Sequence, residues 1–438
     1  MKHVLPVLFL LIHFLAVCQS KESCYVGGIQ INEPDQKEWA HTLKSTGFNL
    51  AQVTAYAKQG AWNTDHLWWE WEDTSAVINE IRALKSSELH VIMVLRVALQ
   101  HEYDGNKFKW HGMIYPQTDA QRKEWFRRYS YFVRMWSQIC EREGVDILAI
   151  GSELNALFCT KEINTLPAIH GYYSNREAQE QHELRILEHQ HQIIEAGLWE
   201  YGQPIDTNFE SYIKQHIQSN IDWSKEVSHG QSIDSMNHDR AFLNNQWKLV
   251  IRQAREVYNG QLTIASNYDN YSSVGFWKDL DFIGINAYFP LRSEIQKQQN
   301  DTTKMYTDLK NGWTSVFNEL ESFKKNNRLK RKPLFFTELG YSHYKYCTIE
   351  PWKGYGYSLL PSKESDSLVI WNKSKNNKLE RSLAIKALRE VSADSKVMLK
   401  GLSYWKLSSF LEHEKIEPFS LILNNNDPLE TELLKFLK

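Results

Sequence analysis

Apolar positions along the chain follow two alternating rhythms, short near-continuous runs and longer stretches in which they recur every three or four residues. The short runs read as buried parallel strands, the longer ones as amphipathic helices. Tyr25–Ile31 is a first strand, and Asp35–Thr46 a helix with Trp39, Ala40 and Leu43 on one face and Gly47 as its stop. Phe48–Thr54 is the second strand. Thr74–Lys85 follows as a helix carrying Val77, Ile78, Ile81 and Leu84, and Leu89–Arg96 is the third strand. A long amphipathic helix, Ala120–Glu143, leads into a fourth strand that begins at Val145. The rhythm resumes with a helix at Arg240–Val257 and strand five at Gln261–Asn267. A short helix at Phe276–Leu280, strand six at Asp281–Tyr288 and a helix at Tyr306–Lys325 come next. Strand seven is Pro333–Thr337, followed by a helix at Leu379–Ser392, strand eight at Val397–Trp405 and a closing helix at Leu429–Leu437.

Eight strands alternating with helices predict an α/β fold, a closed (β/α)8 TIM barrel. An open doubly wound sheet is the alternative, but no Gly-rich phosphate loop follows the first strand. Between strand four and the next helix, residues from about Phe158 to about Ser235 break the rhythm. They form a long, polar, largely helical insertion with a helical piece at Glu183–Ala196. Because it leaves a loop on the catalytic face, it is expected to wall or cover the cleft. His182, His189 and His191 lie in it, but no His pair is four apart and no Cys accompanies them, so a surface helix is expected there and no metal site.

The chain has 438 residues, 42% hydrophobic and 24% charged, an ordinary globular composition with ample core. Residues 21–438 are expected to form one catalytic domain. Met1-Lys-His3 followed by the apolar run Val4–Val17 reads as a signal peptide over residues 1–20, too short to span a bilayer. The protein is therefore expected to be secreted or extracytoplasmic. Leu15-Ala-Val-Cys18 also resembles a lipoprotein box, which would make Cys18 a lipid anchor on an outer surface. A formal net charge of −2 gives no electrostatic case for nucleic acid or an anionic membrane, and a monomer is expected. Export permits disulfides. Cys159 and Cys347 would share the catalytic face, and Cys24 and Cys140 the opposite one; four free thiols are equally compatible with the spacing.

Two stretches carry chemistry. Val145–Glu153 and Pro333–Glu338 each climb through strand-forming residues and end on a carboxylate. A residue at the C-terminal end of a barrel strand looks into the active-site mouth. One such Glu is adequately explained as a salt-bridged strand end, but two in matching contexts suit a glycosidase. In a retaining enzyme the carboxyl groups stand about 5–5.5 Å apart. Glu153 is the expected acid/base, with a pKa raised by the nearby negative charge, and Glu338 the expected nucleophile. Tyr288 could hold the nucleophile ionised or merely pack. Trp405 could floor the cleaved sugar or cap the core. Arg96 could orient a carboxylate or a hydroxyl, or form a plain structural ion pair. Asn267, Asn286 and the loop residue Trp110 are further candidates for binding sugar. Sixteen Trp and 21 Tyr supply many rings able to pack on the apolar face of a sugar, although most must serve the core.

The order of Gly151-Ser-Glu153-Leu, Asp281-Phe-Ile-Gly-Ile-Asn-Ala-Tyr288-Phe-Pro, Phe335-Phe-Thr-Glu338-Leu-Gly-Tyr341 and Gly401-Leu-Ser-Tyr-Trp405-Lys resembles glycoside hydrolase family 113. This is a family of retaining (β/α)8 enzymes, chiefly β-1,4-mannanases. The resemblance implies Glu153 as acid/base, Glu338 as nucleophile, and Tyr288, Asn267 and Trp405 around the cleaved sugar. The chain departs from the family pattern at Arg96-Val-Ala98, where the family has a basic residue followed by Pro-His, and in its longer loop after Glu153. Lys109-Trp-His-Gly112 keeps the family's Trp and Gly with His111 between them. The expected activity is cofactor-free cleavage of a β-linked glycan, foremost β-1,4-mannan or manno-oligosaccharides. Action on another β-linked hexose glycan, transglycosylation by the same machinery, or a carbohydrate-binding barrel that has lost turnover are the alternatives.

Overall fold

The structure is a computed structural model that describes residues 24–162, 211, 215, 218–220, 222–223, 226–227, 233–292, 301–354, 356–360, 368–372 and 376–438. Residues 1–20 with Cys18, the helical piece at Glu183–Ala196, and His182, His189 and His191 lie outside the described residues.

Eight parallel strands close on themselves as a (β/α)8 barrel. They are β1 (Tyr25–Gln30), β2 (Leu50–Gln59), β3 (His90–Leu99), β4 (Ile147–Ser152), β5 (Gln261–Asn267), β6 (Ile283–Asn286), β7 (Leu334–Leu339) and β8 (Leu399–Ser408). Each pairs with the next, and β1 pairs with β8 from Tyr25↔Gly401 onward, which closes the ring. At the β1–β2 seam a Cβ on Gly27 would sit 1.7 Å from the Leu50 carbonyl oxygen, so only glycine lets the two backbones meet there.

Alternation along the strands divides the core into two layers. Leu50, Ile92, Val94, Ile147, Ala149, Ala265, Phe282 and Phe335 form one buried cluster within the sheet. Val53, Met93, Leu148, Ile264, Ile285 and Phe336 join the larger cluster with the helices. Burying each such large side chain stabilises the fold by roughly 1.5–3 kcal/mol. The helices start and stop where their caps dictate. Asp35 accepts from the N–H groups of Lys37 and Glu38 at the start of Gln36–Thr46, and Gly47 ends that helix at φ 107°. Thr118 and Gln121 form a reciprocal capping box at the start of Asp119–Glu143.

Several boundaries differ from the sequence reading, three of them at the site. Arg96 does not end its strand, because β3 continues to Leu99 on a ladder with β2 that pairs Tyr56 with Arg96 and Gln59 with Leu99. The neighbouring strand satisfies the backbone, so a charged side chain does not terminate pairing. Glu338 lies inside β7, and Tyr288 stands two residues beyond β6. The helix expected from Arg240 starts at Ile233. Two antiparallel additions carried no clear signal: Leu67–Trp68 on β2, and the Gly356–Leu360 and Leu368–Asn372 pair.

The four described cysteines are all free, so of the alternatives open in the sequence neither disulfide pairing is made. Cys140 is buried in the core, and the Cys159 sulfur accepts from Asn270 Nδ2 at 3.4 Å. Among the described residues no helix is long and apolar enough to cross a membrane.

Candidate active site

Glu153 follows β4 directly and takes a φ of +53°. A residue with a Cβ is held in that left-handed region only when its surroundings over-determine it. Its N–H donates to the Ala265 carbonyl at 2.9 Å, which fixes the turn. Both carboxylate oxygens are engaged. Asn286 Nδ2 donates to Oε1 at 2.9 Å, and His111 Nε2 lies 2.7 Å from Oε2. Asn286 is in turn oriented by the Thr337 hydroxyl, which donates to its Oδ1 at 2.8 Å.

Burial pushes the Glu153 carboxyl up, but His111, the Arg96 charge and Asn286 outweigh it and hold it down at about 2. The sequence reading expected a raised value. It had no partner for this carboxylate, since His111 arrives from a loop 42 residues earlier in the chain. The His111 loop depends on a close approach: a Cβ on Gly112 would meet the Trp110 ring at 2.2 Å. Glycine there leaves room for that ring, which packs edge-on to His111 at 5.0 Å.

Glu338 is 3% exposed and is held from two other strands. Arg96 forms an ion pair with Oε1, and the Tyr288 hydroxyl donates to Oε2 at 2.9 Å. Burial first, then the Glu153 charge, pushes the Tyr288 phenol well above its usual range, so it remains a donor. The Arg96 guanidinium lies 5.1 Å from the Trp405 ring centroid, a cation–π contact that fixes both groups.

Glu153 and Glu338 open onto one cavity of about 370 Å³, also lined by Arg96, Trp110, Asn267, Tyr288 and Trp405. Seven of the eight residues singled out in the sequence therefore converge. Asn286 does not line the cavity; it acts on Glu153. Asn267 Nδ2 donates to Asn155 Oδ1 at 3.2 Å, tying the end of β5 to the turn that follows Glu153. Sequence reasoning missed His111, Tyr268, Asp269, Trp352 and Phe419. The last four line the cavity but sit in loops where no periodicity marks them. Among the described residues no cluster of His, Cys, Asp and Glu could hold a metal.

The described part of the insertion rests on the His111 loop. Lys109 Nζ donates to Ser219 Oγ at 2.7 Å, and Trp223 Nε1 donates to the Met113 carbonyl at 2.8 Å.

Residues 230–367 match the model of Glycoside Hydrolase Family 113. This span reaches from the helix before β5 past Glu338. The comparison with curated proteins found no match. Among solved structures the chain is similar to a family 113 β-mannanase from Alicyclobacillus acidocaldarius, at 13% identity, 95% of this chain, 98% of that chain and a TM-score of 0.58. It is also similar to a family 113 β-1,4-mannanase at 15% identity, 94% and 98% coverage and a TM-score of 0.56. At these identities the likeness to solved structures establishes the barrel alone; the family match spans less than a third of the chain and includes Glu338 but not Glu153. The chain is a glycoside hydrolase that resembles family 113.

Proposed function

We propose that the chain is a retaining β-glycosidase, acting foremost on β-1,4-mannan or manno-oligosaccharides, with Glu338 as nucleophile and Glu153 as acid/base. The observation that carries this reading is the unequal treatment of two carboxylates in one cavity. Arg96 and Tyr288 hold Glu338 as an oriented anion, while Glu153 shares a 2.7 Å contact with a group that can carry a proton. A Glu338 oxygen attacks the anomeric carbon as its bond to the glycosidic oxygen breaks, and Glu153 gives that oxygen a proton. Water then attacks the glycosyl ester, Glu153 takes up its proton, and Glu338 is released. A sugar that displaces the His111 contact leaves burial to act on Glu153, which raises its carboxyl toward the protonated form that the first step needs. Mannan as substrate rests on the family match and on the mannanase activity of the similar structures.

Hydrolysis of a panel of β-linked oligosaccharides by the mature protein, with Glu153→Gln and Glu338→Gln beside it, tests the reading. Cleavage of manno-oligosaccharides that both variants abolish supports it. Cleavage confined to another β-glycan keeps the mechanism and moves the specificity; sugar binding without turnover of any glycan overturns the enzyme reading. The basic start and apolar run of residues 1–20 support export of the mature chain. N-terminal sequencing of the exported protein tests that, and shows whether Cys18 is the new terminus.

A further inference from the structure

The cavity is lined by two sets of residues with different ties. Arg96, Tyr288 and Trp405 gather around Glu338 through an ion pair, a hydrogen bond and a cation–π contact. A second set on one side of the cavity, Tyr268, Asp269 and Trp352, has no part in the chemistry above. Tyr268 and Trp352 come from loops after β5 and β7, yet their rings stack at 5.3 Å and 16°. Tyr268 is further braced by Phe289, edge-on at 5.8 Å. Two loops thus hold a stacked pair of rings ready-made, one ring backing the other, which removes an ordering cost from binding.

Asp269 stands beside this pair. Its ties run to Glu153, whose charge it feels, and to Asn155, the residue two after Glu153. Burial and the Glu153 charge push its carboxyl up to about 6. Its Oδ1 is buried with no hydrogen-bond partner among the described residues. A carboxyl group so placed costs stability, and such costs concentrate at functional sites.

We propose that this side binds the sugar on the departing side of the scissile bond, with Tyr268 and Trp352 as the apolar platform and Asp269 as the partner of one of its hydroxyls. The inference rests on Glu153 being the acid/base. The acid sits against the glycosidic oxygen, so groups tied to Glu153 face the leaving sugar, and groups tied to Glu338 face the sugar that is attacked. A pyranose suits the site chemically: its C–H face packs on rings, and its hydroxyls hydrogen-bond strongly to a carboxylate.

The test compares two substrates with the same attacked sugar, a manno-oligosaccharide and a nitrophenyl β-mannoside, in wild type, Asp269→Asn and Trp352→Ala. Each protein is assayed at its own pH optimum after its melting temperature has been checked. The expected result is a fall in kcat/KM of about 10-fold or more on the oligosaccharide, with a loss at least several-fold smaller on the aryl glycoside, whose leaving group is not a sugar. Equal losses on both substrates overturn the subsite. If wild type cleaves only another β-linked sugar, the same pair is used in that sugar. If wild type cleaves nothing, the activity reading fails by itself, and calorimetric titration with mannotetraose decides the site: weaker binding in both variants supports it, unchanged binding overturns it.

Discussion

His111 Nε2 lies 2.7 Å from Glu153 Oε2, so the candidate proton donor shares its carboxylate with an imidazole. Burial raises that carboxyl, and His111 is the strongest of the groups that hold it down. Replacing His111 by Phe is therefore expected to move the alkaline limb of the kcat/KM profile to higher pH. A limb that does not move would mean that His111 does not set the charge on Glu153.

Tyr288→Phe removes the hydroxyl that donates to Glu338 Oε2 at 2.9 Å and leaves the ring in place. A hydrogen bond to a charged group contributes about 1.5–3 kcal/mol, so kcat/KM is expected to drop about 10–100-fold. Circular dichroism and melting temperature should stay near wild type. An unaltered rate would show that Arg96 alone suffices to hold the nucleophile.

Asp269 carries a pH signature in stability. Its folded-state pKa, raised to about 6, lies above the ordinary carboxyl value, so the folded state binds the proton more tightly than the unfolded chain. Stability therefore declines as pH rises from about 4 through about 6. Asp269→Asn removes that decline, and its melting temperature should exceed wild type by more at pH 7 than at pH 4. A difference that does not vary with pH would contradict the shift.

Glu153 has the opposite sign. Its carboxyl is held down to about 2, so the stability it contributes is complete above the ordinary carboxyl value and is lost as pH falls toward 2. Glu153→Gln should therefore cost stability at pH 7 and much less at pH 2–3. Equal costs at both pH values would exclude a depressed carboxyl.

Trp223, 6% exposed, joins the insertion to the Met113 carbonyl two residues past His111. Trp223→Ala should cost about 3–5 kcal/mol where the site cannot collapse. It should also lower kcat by about 10-fold through a looser Trp110–His111 loop. If stability falls while kcat holds at a temperature where the variant is folded, the insertion is a brace for the fold and not for the site.

Much of this protein was legible in its sequence. Strand and helix rhythms depend on which side chains must leave water, a requirement written locally in every run of residues. Hence the barrel, and the placement of Glu153 and Glu338 at one mouth, could be read directly. Boundaries were less certain where a neighbouring strand supplied the pairing, as at Arg96-Val-Ala-Leu99. What no window of sequence contains is a contact between distant loops. His111 reaches Glu153 across 42 positions, Tyr268 stacks on Trp352, and Asn286 turns its amide toward the acid instead of into the cavity. Those contacts decide the charge on Glu153 and the shape of the cavity. Electrostatic effects on a carboxyl depend on distance and burial in space, so only the tertiary structure could reverse the expected direction of its pKa.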